Sequence, residues 1–182
     1  ILLMKKIEID GLHFEILISS KTIVNKVDLL FRQLNKKYQD NWPLCLIVLN
    51  GAAVFASRLL KELKESVHVS LVKVKSYDGV ESTKHISVEY LPYDIIKDQN
   101  ILLIEDIVDS GLTLNFLKKE LKKNGAKHVE CVTLLFKPSK YKYSVDPEHI
   151  GFVIGEEFVV GYGMDLNEKG RELPSVYKNI IH

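Results

Sequence analysis

The chain lacks most of what marks secreted, membrane-embedded or metal-stapled proteins. Only two of its 182 residues are cysteine, and neither a CxxC pair nor a His/Cys grouping at zinc spacing occurs. Cys45 and Cys131 each sit inside an apolar run, LCLIVL and ECVTLLF. A thiol there serves as a small hydrophobe, so free buried cysteines, a reducing cytoplasm and no structural metal are expected. No apolar run approaches the ~20 residues that a membrane span needs. The opening ILLMKK has three apolar residues before Met4 and no small-residue cleavage site, so a soluble chain with Met4 as a candidate start is expected. An excess of one charge is missing as well. Charged residues make up 27% of the chain yet sum to +1, which argues against a nucleic-acid or anionic-membrane partner. No GxGxxG follows a strand and no GxxxxGK[ST] occurs, which removes the usual grounds for a dinucleotide-binding or P-loop domain.

What is present is enough apolar material for one core, and a single domain is expected. Ile23, Val27, Leu30, Phe31, Leu34 and Tyr38 recur on one face of a helix that should end near Asp40, with Trp42-Pro43 as punctuation. LCLIVL, residues 44–49, is too short for a helix and is closed by Asn50-Gly51; it reads as a strand buried on both faces. Ala52, Phe55, Ala56, Leu59 and Leu63 then follow helical spacing to about Lys64, and Val67, Val69 and Leu71 alternate as the next strand. The same strand, helix, strand unit returns at 101–136: ILLI, then Leu114, Leu117 and Leu121 on a helix stopped by Asn124-Gly125, then HVECVTLLF. Two such units predict an α/β class with a mainly parallel sheet. Between them, Ser76 to about Ile86 is polar and without sustained periodicity, and is expected to be a long functional loop.

The most informative stretch is ILLIEDIVDSGLTL, residues 101–114. A buried strand would deliver Glu105 and Asp106 to the C-terminal edge of a parallel sheet, where open α/β folds bind ligands. Ser110, Gly111 and Thr113 would offer hydroxyls and an unhindered backbone at a helix N-terminus, a natural phosphate site. Paired carboxylates beside a phosphate pocket make sense if they hold sugar hydroxyls or a metal-bound diol. The bland alternative is that Asp109, Ser110 or Thr113 simply caps the helix.

Residues 101–113 resemble the phosphoribosyl pyrophosphate (PRPP) motif of the type I phosphoribosyltransferases, in the form of the hypoxanthine-guanine branch: apolar strand, Glu-Asp, two apolar residues, Asp, Ser or Thr, Gly, any residue, Thr. The resemblance implies a Rossmann-like, mainly parallel sheet flanked by helices, with a core at about 40–140 and a small hood from the N-terminal segment and about 141–182. It implies that Glu105 and Asp106 bind the ribose hydroxyls, that Ser110, Gly111, Leu112 and Thr113 cradle the 5-phosphate, and that Asp109 is the general base near purine N7. Further along, Asn50 and Gly51 match the pyrophosphate loop, Ser76 and Tyr77 the start of the active-site loop, and Lys137 the donor to the purine 6-oxo group. Phe158 matches the stacking aromatic and Val159 the residue whose backbone reads the base. Asp165 matches the carboxylate tied to metal and pyrophosphate, with Glu105 and Asp106 as further candidate metal ligands. Arg171 matches the pyrophosphate arginine.

Many relatives carry Lys where this chain has Asn50, and the family often has a cis peptide before that residue, here Leu49–Asn50. An amide brings no charge, which shifts neutralisation of pyrophosphate toward Arg171, magnesium and backbone N–H groups. The resemblance thus implies a magnesium-dependent transferase acting on PRPP and a 6-oxopurine, assembled as a homodimer or homotetramer. PRPP-sensing or RNA-binding relatives are the rival reading. They typically add a DNA-binding module or a basic face, and would have no use for Lys137 and Phe158.

Overall fold

In a computed structural model, the structure describes residues 6–39, 41–63, 66–78 and 84–180, so Met4, Asp40 and Lys64 lie outside it. In chain order the elements are β1 (Lys6–Ile9), β2 (Leu12–Ile18), α1 (Ser20–Tyr38), β3 (Leu44–Leu49), α2 (Ala52–Leu60), β4 (Val69–Asp78) and β5 (Lys84–Tyr90). There follow β6 (Asn100–Val108), α3 (Leu112–Lys123), β7 (His128–Phe136), β8 (His149–Val153), β9 (Val159–Val160) and β10 (Val176–Asn179).

Six strands form the main sheet in the order β5-β4-β3-β6-β7-β8, parallel throughout except for the antiparallel edge pair β4–β5. Its central strands read as unbroken apolar runs because both faces are covered. Alternate residues divide between them: Cys45, Leu102 and Ile104 pack with Ile23, Val27, Leu34 and Phe55 of α1 and α2, while Leu44, Leu46, Ile101 and Leu103 pack with Leu114, Leu117 and Leu121 of α3. From β3 the chain moves outward to β4; from β6 it moves the other way, to β7 and β8. The strand order therefore reverses between β3 and β6, the place where such sheets open a crevice at their C-terminal edge.

A smaller antiparallel sheet, β1-β2-β10-β9, joins the two ends of the described chain. Its β1–β2 hairpin turns on Asp10 (φ 49°) and Gly11 (φ +78°), left-handed at both central residues as a tight hairpin requires.

Three expectations change. Residues 149–153, assigned to the hood, pair with β7 and extend the main sheet. The second helix stops at Leu60, short of Lys64, and the strand after it begins at Val69. Ser76 and Tyr77 lie in β4, where Tyr77 pairs with His85 of β5, instead of in a loop. The remainder of the expected loop, residues 79–83, lies outside the described residues, and so polar a stretch offers no apolar period by which a strand could be read.

Candidate active site

The crevice between β3 and β6 is bounded by two helix N-termini, and both are left uncapped. Gly51 precedes α2 and Gly111 precedes α3, and neither helix has a side-chain cap hydrogen bond. Away from the crevice, α1 is capped normally, Ser19 accepting from the Thr22 N–H. The capping explanation for Asp109 and Thr113 thus fails, and Ser110 Oγ reaches the Leu112 N–H only at 3.4 Å. The first N–H groups of α3 remain available to an anion, with the positive end of the helix dipole behind them.

Gly111 is required on two counts: its φ is +79°, and a side chain there would collide with the rings of Tyr141 and Tyr143. Those rings belong to the segment after β7. Tyr141 meets Phe136 edge-on at 5.2 Å, and the Lys142 N–H donates to the Ser110 carbonyl at 3.2 Å. This buttress under the turn before α3 was not apparent in the sequence.

The adjacent carboxylates diverge, as consecutive residues on a strand must. Glu105 lines a cleft of about 90 Å³ with Asp109–Leu114, beside the uncapped turn. Asp106 lines a larger one, about 210 Å³, with Lys137, Phe158, Val159, Met164 and Asp165. Ile107 and Asp109 belong to both walls, so the clefts adjoin at Asp109. Burial, together with the charge of Asp106, pushes Glu105 well above the usual carboxylate range. Asp106 is raised to about 6: burial outweighs hydrogen bonds from backbone N–H groups, including Ile107 at 2.8 Å, and the attraction of Arg171.

At the far wall of the larger cleft, Lys137 is 4% exposed. Its Nζ donates to the Glu157 carbonyl at 2.7 Å and stands 3.6 Å from Asp109 Oδ2. A buried lysine so placed keeps a proton for a further acceptor. Phe158 is the opposite case, an aromatic ring 47% exposed at the cleft while Val159 beside it is buried.

The pyrophosphate-side candidates are gathered by a folded-back strap, residues 161–173. The Leu49–Asn50 peptide is cis. Gly51 packs against the Asp106 carboxylate on one side, leaving no space for a Cβ. On the other, its carbonyl lies against Gly163 (φ +103°), where a Cβ would overlap it. Arg171 Nη1 donates to the Gly163 carbonyl at 2.8 Å, and Nη2 bonds Asp165 at 2.8 Å and Glu168 at 2.9 Å. Asn167 (φ 51°) and Glu168 (φ 64°) form the tip of a tight turn closed by reciprocal bonds between Leu166 and Lys169, each 3.0 Å. Asp10, in the β1–β2 turn, holds that tip through Asn167 and Lys169, and those hydrogen bonds lower its pKa. Gly163, Glu168 and Asp10 escaped the sequence reading; only the Asp10-Gly11 hairpin signal could have drawn attention to one of them.

A separate opening at the opposite edge of the sheet is lined by Tyr38, Asn41, Asn100, His128 and Glu130. Burial works to raise Glu130, but hydrogen bonds from Lys37, Tyr38 and His149 prevail and hold it at about 2. That carboxylate is already saturated and serves as a tie between α1, β7 and β8.

An α/β crevice with an uncapped anion turn beside two carboxylates belongs to a recognisable class. Residues 15–167 match the model of the phosphoribosyl transferase domain, and the chain belongs to that family. It is 37% identical over 163 residues to the hypoxanthine-guanine phosphoribosyltransferase of Bacillus subtilis (strain 168), covering 89% of this chain and 91% of that protein. Identity to the Lactococcus lactis enzyme of the same name is 38% over 165 residues, 89% and 88% of the two chains. A crystal structure of a hypoxanthine phosphoribosyltransferase from Staphylococcus aureus superposes with a TM-score of 0.84 at 34% identity, covering 91% of each chain.

Proposed function

We propose that the chain performs purine salvage, transferring the 5-phosphoribosyl group of PRPP to N9 of hypoxanthine or guanine and releasing pyrophosphate. The observation that carries this reading is the adjoining of two clefts at Asp109, one with an uncapped phosphate turn and one with a buried lysine and an open aromatic ring. A phosphorylated sugar and a planar base would meet at that residue.

In the reaction, the N–H groups of residues 110–113 hold the 5-phosphate, and Glu105 and Asp106 take the ribose hydroxyls from opposite sides of the strand end. Phe158 fixes the plane of the base, the Val159 backbone reads its edge, and Lys137 donates to O6. Asp109 lies within reach of the base's N7 side and accepts its proton as N9 attacks C1′. Arg171 and the Asn50-Gly51 turn receive the departing pyrophosphate. Closure of the segment that begins at Ser76 and Tyr77 would shield the reacting centre and exclude water.

Magnesium suits the donor set, since Asp165, Glu105 and Asp106 offer hard carboxylate oxygens. Among the described residues no group of three or more His, Cys, Asp or Glu is arranged to hold an ion alone. Substrate oxygens and waters would complete its shell, as this ion tolerates. When bound, it neutralises charge on the leaving pyrophosphate. The working form is a cytoplasmic homodimer or homotetramer; no helix of the described residues is long and apolar enough to cross a membrane.

Initial rates of the purified chain with PRPP, magnesium and each of hypoxanthine, guanine, xanthine and adenine test the reading. Turnover of a 6-oxopurine is expected, with adenine disfavoured by about a hundredfold or more in kcat/KM because its amine meets a lysine donor. Equal rates with adenine would overturn the role given to Lys137.

A further inference from the structure

Three carboxylates surround Arg171, and the proposed function employs only two of them. Asp106 feels the Arg171 and Asp165 charges directly, and Asp165 pairs with the guanidinium at 2.8 Å. Asp106 is assigned to the sugar and Asp165 to the metal. The third, Glu168, bonds Arg171 Nη2 at 2.9 Å although its side chain is 75% exposed. Its placement is built. The backbone takes the left-handed conformation (φ 64°), its N–H donates to Asp165 Oδ2 at 2.8 Å, and Asp10 anchors the residues on either side. Meanwhile Arg171 Nε is buried with no acceptor, so the guanidinium is not fully satisfied by its carboxylates. With Asn50 uncharged, Arg171 is the cation this strap offers to pyrophosphate, and Glu168 shares its Nη2 with Asp165.

The geometry points to Glu168 as the residue that sets the affinity of the pyrophosphate subsite: its carboxylate stands on Arg171 where a pyrophosphate oxygen would bind, and pyrophosphate enters by displacing it. This rests on the reading of Arg171 as a pyrophosphate ligand. The exchange is near-balanced because an exposed ion pair is weak and readily broken. Its return to Arg171 assists release of the product, a step that tight pairing of the polyanion with Arg171 would otherwise slow.

The test is calorimetric titration of the full chain with magnesium pyrophosphate, for wild type, Glu168→Gln, Glu168→Asn and Arg171→Met. Both Glu168 variants are expected to bind about three- to fivefold more tightly than wild type at low ionic strength, the gain shrinking as salt is added. In turnover, KM for PRPP falls and product inhibition by pyrophosphate strengthens in parallel. Unchanged or weaker binding in both variants would overturn the proposal; weaker binding would make Glu168 a support of Arg171 or a metal ligand. Wild type failing to bind magnesium pyrophosphate, or Arg171→Met binding it as well as wild type, would instead overturn the reading of Arg171 itself.

Discussion

The carbonyl oxygen of Gly51 lies against Gly163, so close that a methyl group on Gly163 would overlap it. Because Gly51 also rests on the Asp106 carboxylate, the turn after β3 is held between that acid and the strap that carries Asp165 and Arg171. Two glycines, far apart in sequence, thus fix the distance between Asp106 and the strap that carries Asp165 and Arg171, the proposed sugar and pyrophosphate sides.

Gly163→Ala should therefore damage both stability and binding. The positive φ of +103° alone carries a penalty of about 1–3 kcal/mol, before the backbone overlap is counted. Thermal melting should fall by roughly 2–10 °C, together with loss of magnesium pyrophosphate affinity. Gly11→Ala supplies the contrast: its φ is +78° but nothing lies within 4 Å, so it should lower melting modestly and leave binding intact.

Asp109→Asn keeps the shape of the carboxylate and removes its basicity. A drop in kcat of about 10²–10⁴-fold is expected, with KM for PRPP changed little. Stopped-flow measurement with hypoxanthine separates the chemical step from product release.

Truncating the buried Lys137 to Met removes the proposed donor to O6 and the bond to the Glu157 carbonyl. A charged hydrogen bond is worth about 1.5–3 kcal/mol, so kcat/KM for hypoxanthine should fall by about 10- to 150-fold. Adenine should lose far less, and competition between the two bases reads the ratio directly.

The raised pKa of Asp106 makes ligand-free stability pH-dependent in a defined direction. The native carboxyl holds its proton up to about pH 6, whereas the unfolded one releases it near 3.8. Between those values the folded state binds more protons, so stability falls as pH rises, by on the order of 3 kcal/mol from this residue once pH exceeds 6. Glu105, also raised, acts in the same sense. Glu130 acts oppositely: its contribution is present above pH 4.5 and is lost as pH drops toward 2. Urea unfolding of Asp106→Asn without metal should show a shallower decline from pH 4.5 to 7 than wild type, and greater stability than wild type at pH 7.5. An unaltered profile would contradict the burial assigned to this carboxyl.

Contiguity decided what could be read from the chain. LCLIVL and ILLI announced strands covered on both faces, and their residues do alternate between the α1–α2 side and the α3 side. Glu105 to Thr113 form one unbroken stretch, so their shared location followed from local order. By contrast, β10 pairs with β2 across most of the chain, and a four-residue strand has too little pattern to declare itself. The placement of β8 was hidden for a related reason: membership of the main sheet is settled by its partner, not by its own five residues. Gly163 and Glu168 matter through a strap folded over Gly51 and a turn gripped by Asp10, which no spacing encodes. The divergence of Glu105 and Asp106 into adjoining clefts was implicit in their being neighbours on a strand, yet it took the surrounding walls to give each side its meaning.

The most direct measurement is a crystal structure of the chain soaked with IMP, the nucleotide that hypoxanthine would yield. Its phosphate should lie within about 3 Å of the N–H groups of Gly111, Leu112 and Thr113, with the ribose between Glu105 and Asp106, the base on Phe158 and O6 on Lys137 Nζ. A nucleotide bound elsewhere, with the turn before α3 holding no phosphate, would contradict the whole assignment.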